Sequence, residues 1–193
     1  MDLSKLTMEE TLRQCSKPTG DTGREVGKRM NERHKPLITW GLSFLFNNKK
    51  RRGLKILDIG CGAGLAINLM SKIVPDAQIN GIDYSYEMVE AAIMYNKKLI
   101  EARKVAIQKG SVDKLQFKDE MFDIVIATET IYFWPDLPEN IKEVYRTLKN
   151  DGCFAVINEA YHREECELHP HYKVMLESDY AKFLNENELL VLF

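Results

Sequence analysis

The chain has 193 residues, 45% of them hydrophobic and 29% charged, which is enough for one well-filled core and ordinary for a globular protein. Its 27 basic and 29 acidic residues leave a net charge of −2, so no global basic field argues for nucleic acid. No stretch approaches the ~20 apolar residues of a membrane span.

The segment from Met1 to Gln14 is charged and lacks the apolar core of a signal peptide. The cysteines are Cys15, Cys61, Cys153 and Cys166, with no C-x-x-C spacing. They read as reduced thiols of a cytoplasmic protein.

Before residue 54 the pattern is helical. Thr7 followed by Glu10 has capping-box spacing and starts a short helix. Pro18 to Gly23 reads as a turn or mobile loop. Two helices are then expected, Arg24 to His34 and Pro36 to Phe46, with Pro36 at a first helical position. Leu37, Trp40, Gly41, Phe44 and Leu45 form the apolar set of the second. Lys49-Lys50-Arg51-Arg52 is the only basic block and reads as a solvated linker.

From residue 54 strands and helices alternate, which predicts a doubly wound, mainly parallel sheet with helices on both faces. The expected strands are Lys55 to Ile59, Gln78 to Asp83, Val105 to Gln108, Phe122 to Ala127 and Cys153 to Asn158. Helices are expected from Gly64 to Val74, from the Ser85 cap to Lys98, and around Leu137, Ile141, Val144, Tyr145 and Leu148, ended by Asn150-Asp151-Gly152. Beyond them a helix is read from Lys173 to Leu184 and a strand at Leu189 to Phe193. The division is therefore 1–53 as a helical cap or substrate lid and 54–193 as a Rossmann-like α/β domain.

The run Lys55-Ile56-Leu57-Asp58-Ile59-Gly60-Cys61-Gly62-Ala63-Gly64 carries the chemistry. A buried strand enters a glycine turn that opens a helix, so backbone can approach a nucleotide-like ligand closely. A dinucleotide fingerprint would need glycine where Leu65 stands, and Asp58 would repel a pyrophosphate. Asp58 suits a ligand with an amino group or a sulfonium. Inside an apolar strand end it must face a donor, either loop N–H groups or a cationic ligand. Asp83 ends the second strand 23 positions after Gly60, near the offset at which such folds place an acid on a ribose. Its bland alternative is a turn residue or helix cap.

This stretch resembles motif I of the class I S-adenosylmethionine-dependent methyltransferases. Gly110-Ser111-Val112 resembles the family's loop after strand three, with Ser111 where many members carry an acid. Glu143 to Gly152 resembles a further common stretch of the family, with Asn150-Asp151 in place of its Pro-Gly. The resemblance covers about residues 54–160 and points to the small-molecule, ubiquinone-biosynthesis-like or type 11 branch. It implies S-adenosylmethionine as cofactor and S-adenosylhomocysteine as product. Asp58, Gly60, Gly62 and Gly64 would meet the amino acid part, Asp83 the ribose, and Ser111 and Val112 the adenine. Cys61, Tyr84 and Met88 are further cofactor-binding candidates. The family usually closes its sheet with an antiparallel strand pair, for which this chain is short by at least one strand.

The acceptor is expected at the carboxyl ends of strands four and five. Glu129, Tyr132 and His34 are the candidate catalytic residues, with Thr130, Phe133 and Trp134 nearby and Glu159 and Tyr161 as lesser candidates. The bland alternatives are packing for Phe133 and Trp134 and an ordinary helix residue for His34. His162, Cys166, His169 and His171 have zinc-like types but no zinc-site spacing, and no metal is expected. The expected function is methyl transfer to a small molecule by a monomer or homodimer without nucleic-acid or membrane partners. The alternative is a non-catalytic S-adenosylmethionine-binding protein, truncated or degenerate.

Overall fold

The structure is a computed structural model that describes residues 3, 6–47 and 52–158, together with the backbone of 190–192. Two helices come first, α1 (Met8–Ser16) and α2 (Gly20–Leu45). Then follow β1 (Lys55–Ile59), α3 (Leu65–Ile73), β2 (Gln78–Asp83), α4 (Tyr86–Tyr95), α5 (Lys97–Glu101) and β3 (Val105–Lys109). β4 (Phe122–Thr128), α6 (Leu137–Thr147), β5 (Leu148–Ile157) and β6 (Leu190–Leu192) complete it.

The six strands form one sheet in the order β3-β2-β1-β4-β5-β6. Every pairing among the described residues is parallel, β5 with β6 included. The antiparallel closing pair typical of the resemblance is therefore not seen there. The order reverses between β1 and β4, which opens a crevice at their carboxyl ends.

Side-chain alternation along the central strands divides the core in two. Ile56, Ile124, Ile126, Ala155 and Ile157 pack with Ile38 and Leu42 of α2 and Ile67 and Met70 of α3. Leu57, Val125, Ala127, Phe154 and Val156 pack with Ile141 and Val144 of α6 on the other face. Burial on both faces is why these strands are almost continuously apolar.

Five local expectations change. Residues 24–45 lie in one helix, not two, and Pro36 is inside it. Both halves of α2 are buried along one axis, at Val26 and Gly27 and at Ile38, Gly41, Leu42 and Leu45, and that packing offsets the lost helix bond at Pro36. The buried stripe also differs: Trp40 and Phe44 are exposed and meet edge-to-face at 5.0 Å. Gly41 sets this rotation, since a Cβ there would meet Ile157 Cδ1 at 2.6 Å. The turn expected at 18–23 is shorter, because α2 starts at Gly20 and its Gly23 leaves room for the Pro18 backbone.

The helix after Ser85 breaks at Asn96 into α4 and α5. Asn96 is buried, and its amide donates to the carbonyls of Gly64 at 3.0 Å and Ala92 at 3.1 Å. The break thus ties α4 to the glycine turn. Finally, β5 begins at Leu148, directly after α6, with a register irregularity against β4 between Phe122 and Ile124. The expected turn at Asn150-Asp151-Gly152 lies within that strand. The helix expected at 173–184 and the basic block at 49–51 lie outside the described residues.

Candidate functional site

The glycine turn after β1 has positive φ at all three glycines: Gly60 at 71°, Gly62 at 51° and Gly64 at 84°. Such values disfavour any side chain with a Cβ. The N–H groups of Gly60 and Cys61 both donate to the Ile82 carbonyl at 2.9 Å, lashing the turn to the end of β2. Gly62 has nothing within 4 Å of where a Cβ would stand, so it faces open cavity. Gly64 is the left-handed residue that starts α3.

Two carboxylates face this turn. Asp83 is buried, and it accepts from the N–H of Gly62 and from the N–H of Ser85, each at 2.9 Å. Burial pushes its carboxyl above the ordinary range, and these N–H groups pull the other way. Asp58 is 1% exposed, and neither of its oxygens has a hydrogen-bond partner. Burial, then repulsion from Asp83, pushes its pKa up from 3.8 to about 7. The sequence left two donors open for Asp58, and no loop N–H group bonds either oxygen. Cys61 beside them has its thiol pushed well up by burial and by both carboxylates, so it is a poor nucleophile.

A cavity runs along this turn and brings most of the expected residues together. Asp58, Gly60, Cys61, Gly62, Asp83, Tyr84 and Met88 line it, as do His34 and Glu129. Tyr132 stands behind Glu129 and donates its phenol to Oε2 at 2.6 Å. Glu129 has φ of +52°, uncommon for a residue with a Cβ, and its N–H donates to the Ile157 carbonyl at 2.9 Å. The backbone at the end of β4 is therefore held in a bent form that carries the carboxylate to the cavity.

Phe133 lines the cavity and packs edge-to-face on Tyr132 at 4.7 Å. Trp134 is stacked on Phe154 at 6.0 Å and serves packing. Ser111 and Val112 are not brought to the cavity wall; Val112 is buried in the α6-side core. Gly64 acts from behind, as the helix start. Glu159, Tyr161 and the His162, Cys166, His169 and His171 group lie outside the described residues. Among the described residues no cluster of metal-ligating side chains occurs.

Sequence reasoning missed several wall residues. Thr128 ends β4 with a buried hydroxyl that has no partner, and it lines the same cavity as Asp58. A polar residue closing an otherwise apolar strand was the signal for it. Asn31 donates to the Ala63 carbonyl at 3.3 Å and pins α2 to the glycine turn. Cys15, Ser16 and Pro18 wall the cavity beside Tyr84, and nothing local in their sequence announces it.

Strand order, the glycine turn after β1 and the acid at the end of β2 define a Rossmann-like α/β protein. The chain belongs to a methyltransferase family: the family described as "Methyltransferase domain" matches residues 57–156. It is 34% identical to the sterol 24-C-methyltransferase erg6 of Aspergillus fumigatus over 55% of this chain and 28% of that protein. It is 28% identical to the demethylmenaquinone methyltransferase of Lactobacillus johnsonii over 78% of this chain and 60% of that one.

Among solved structures, the YcgJ protein of Bacillus subtilis superposes with a TM-score of 0.54 at 31% identity, covering 60% of this chain and 49% of that one. These matches place the chain among the class I S-adenosylmethionine-dependent methyltransferases. The chain spans 28%, 60% and 40% of the first three curated relatives, so it matches only part of each.

Proposed function

We propose that this chain binds S-adenosylmethionine at the glycine turn and methylates a small molecule by direct displacement, leaving S-adenosylhomocysteine. The observation that carries the reading is the buried Asp58 carboxylate without a partner, in one cavity with Gly62 and Asp83. A cationic amino acid moiety fits that donor-free carboxylate, and the partnerless Thr128 hydroxyl beside the cavity fits it too. Bound there, S-adenosylmethionine supplies an electrophilic methyl group on a sulfonium.

In this reading Asp58 holds the ammonium, and Gly60, Cys61, Gly62 and Gly64 supply the close backbone. Asp83 retains acceptor capacity beyond its two N–H bonds for ribose hydroxyls. Tyr84 and Met88 flank it, and Ser111 and Val112 take the adenine. On the acceptor side Glu129, oriented by Tyr132, and His34 position the nucleophile and accept its proton where it has one to lose. The protein's main contribution is in-line positioning, which accounts for several kcal/mol (roughly 7–11 in well-oriented systems).

We further propose that 1–53 acts as the helical cap and 54–193 as the cofactor domain. The free thiols Cys15 and Cys61 support a cytoplasmic setting, and no helix among the described residues is long and apolar enough to cross a membrane.

The test is calorimetry with S-adenosylhomocysteine on wild type and Asp83→Asn, followed by labelled methyl transfer to a panel of small acceptors. The expected result is micromolar binding, weakened at least tenfold in the variant, with turnover reduced by Glu129→Gln. Folded wild type that binds neither cofactor nor product refutes the reading. Tight binding with no transfer to any acceptor would favour a non-catalytic binding protein.

A further inference from the structure

We propose that residues 15–20, which join α1 to α2, form a strap over the nucleoside end of the site. Tyr84 and Ser85 are the positioning residues that hold it closed and so set the rate of cofactor exchange. The proposal rests on the cofactor reading above.

The strap is fastened to the turn that follows Asp83. The Tyr84 hydroxyl donates to the Ser16 carbonyl. The Ser85 hydroxyl donates to the Pro18 carbonyl at 2.6 Å. The Gly20 N–H donates to Glu87 Oε1 at 2.7 Å, and the Lys17 ammonium sits 5.1 Å above the Tyr84 ring. These fastenings come from residues 84–87, immediately after the acid assigned to the ribose. They join positions 67 or 68 apart in the chain.

The strap has a wall, a stiffener and a hinge. Ser16 and Pro18 line the cavity on its inner side, next to Asp83 and Tyr84. Gln14 stiffens it from α1, accepting from the Thr19 N–H at 2.8 Å and donating to the Thr19 carbonyl at 3.3 Å. Gly20 has φ of +62° with nothing within 4 Å of a would-be Cβ, a position suited to a hinge. Beyond Gln14, α1 buries none of its residues, so little besides the strap holds it down.

The consequence is geometric. Ser16 and Pro18 line the cavity beside Asp83, whereas Ser111 and Val112, assigned to the adenine, are not among its lining. On this proposal a nucleoside held at Asp83 enters and leaves while the strap is open and is covered when it closes. Each fastening bond holds the closed form by roughly two- to tenfold in population. Loss of one therefore raises entry and exit together and leaves affinity nearly unchanged.

The experiment is stopped-flow binding and release of S-adenosylhomocysteine, with amide hydrogen exchange across 14–20, for wild type, Lys17→Ala and Glu87→Ala. Each removes one fastening, and neither residue lines the cavity, so each backs up the other if one folds poorly. Association and dissociation rates that both rise roughly two- to tenfold, with Kd moving less than either, support the proposal. Faster exchange at 14–20 in the ligand-free variants is expected alongside. Unchanged rates in both variants overturn it while leaving the cofactor reading intact. So does affinity lost wholly through faster release, which makes the strap an ordinary ligand contact. Wild type that binds no S-adenosylhomocysteine overturns the cofactor reading and the strap with it.

Discussion

Replacing Asp58 by Asn probes the electrostatic centre of the site. The carboxyl is wholly buried without a donor, and its pKa rises from 3.8 to about 7. A folded pKa above the unfolded one means that the folded chain binds the proton more tightly. Stability is then highest below the unfolded value, falls as pH rises through the interval, and levels off above about 7. The whole interval corresponds to roughly 4 kcal/mol, of which about 2–3 kcal/mol falls between pH 5 and pH 8.

The Asn variant carries no such titration. Its amide lacks partners at the site as well, at a cost of about 1–3 kcal/mol that is independent of pH. Urea denaturation of ligand-free wild type and Asp58→Asn at pH 5, 6, 7 and 8 reads the difference. The variant should gain on wild type by about 2–3 kcal/mol across the series. It should also bind S-adenosylmethionine at least tenfold more weakly at pH 8, because the cation loses its counter-charge. Parallel stability curves would refute the claim that Asp58 is a buried, unpartnered carboxylate in the folded chain.

Two further substitutions separate local geometry from packing. Gly62→Ala places a methyl in open cavity at φ of +51°, so it should cost only about 1–2 kcal/mol in thermal or urea unfolding. It should nonetheless weaken cofactor binding more than tenfold by calorimetry; retained affinity would show that no ligand approaches this backbone. Arg146→Met removes a guanidinium that donates to Glu143, Asp119 and the carbonyls of Leu115 and Phe117. These bonds clamp the segment after Val112 to α6, and their loss should cost about 2–3 kcal/mol in urea. A change below about 0.5 kcal/mol would mean that the network is a solvated surface feature.

Much of the fold was legible in the chain because its signals are local. The second strand, at Gln78 to Asp83, was read with its observed boundaries, since turn residues and apolar runs bracket it. The glycine turn and both acids were read for the same reason. Spacing alone constrained which backbone could pass from β1 into α3.

What the sequence could not settle involves partners distant in the chain. Nothing near Pro36 says that α2 runs through it; the β5 and α4 surfaces that bury the two halves of the helix decide that. Nothing near Asn96 says that a helix breaks there to hold Gly64, 32 positions away. The same holds for Asp58. Its sequence context requires a donor, but only the assembled sheet shows that no described protein group bonds the carboxylate. Local periodicity and turn chemistry determine which segments become strands and helices. Desolvation and long-range packing, which exist only once those segments meet, determine which polar groups remain unpaired and thus where the chemistry lies.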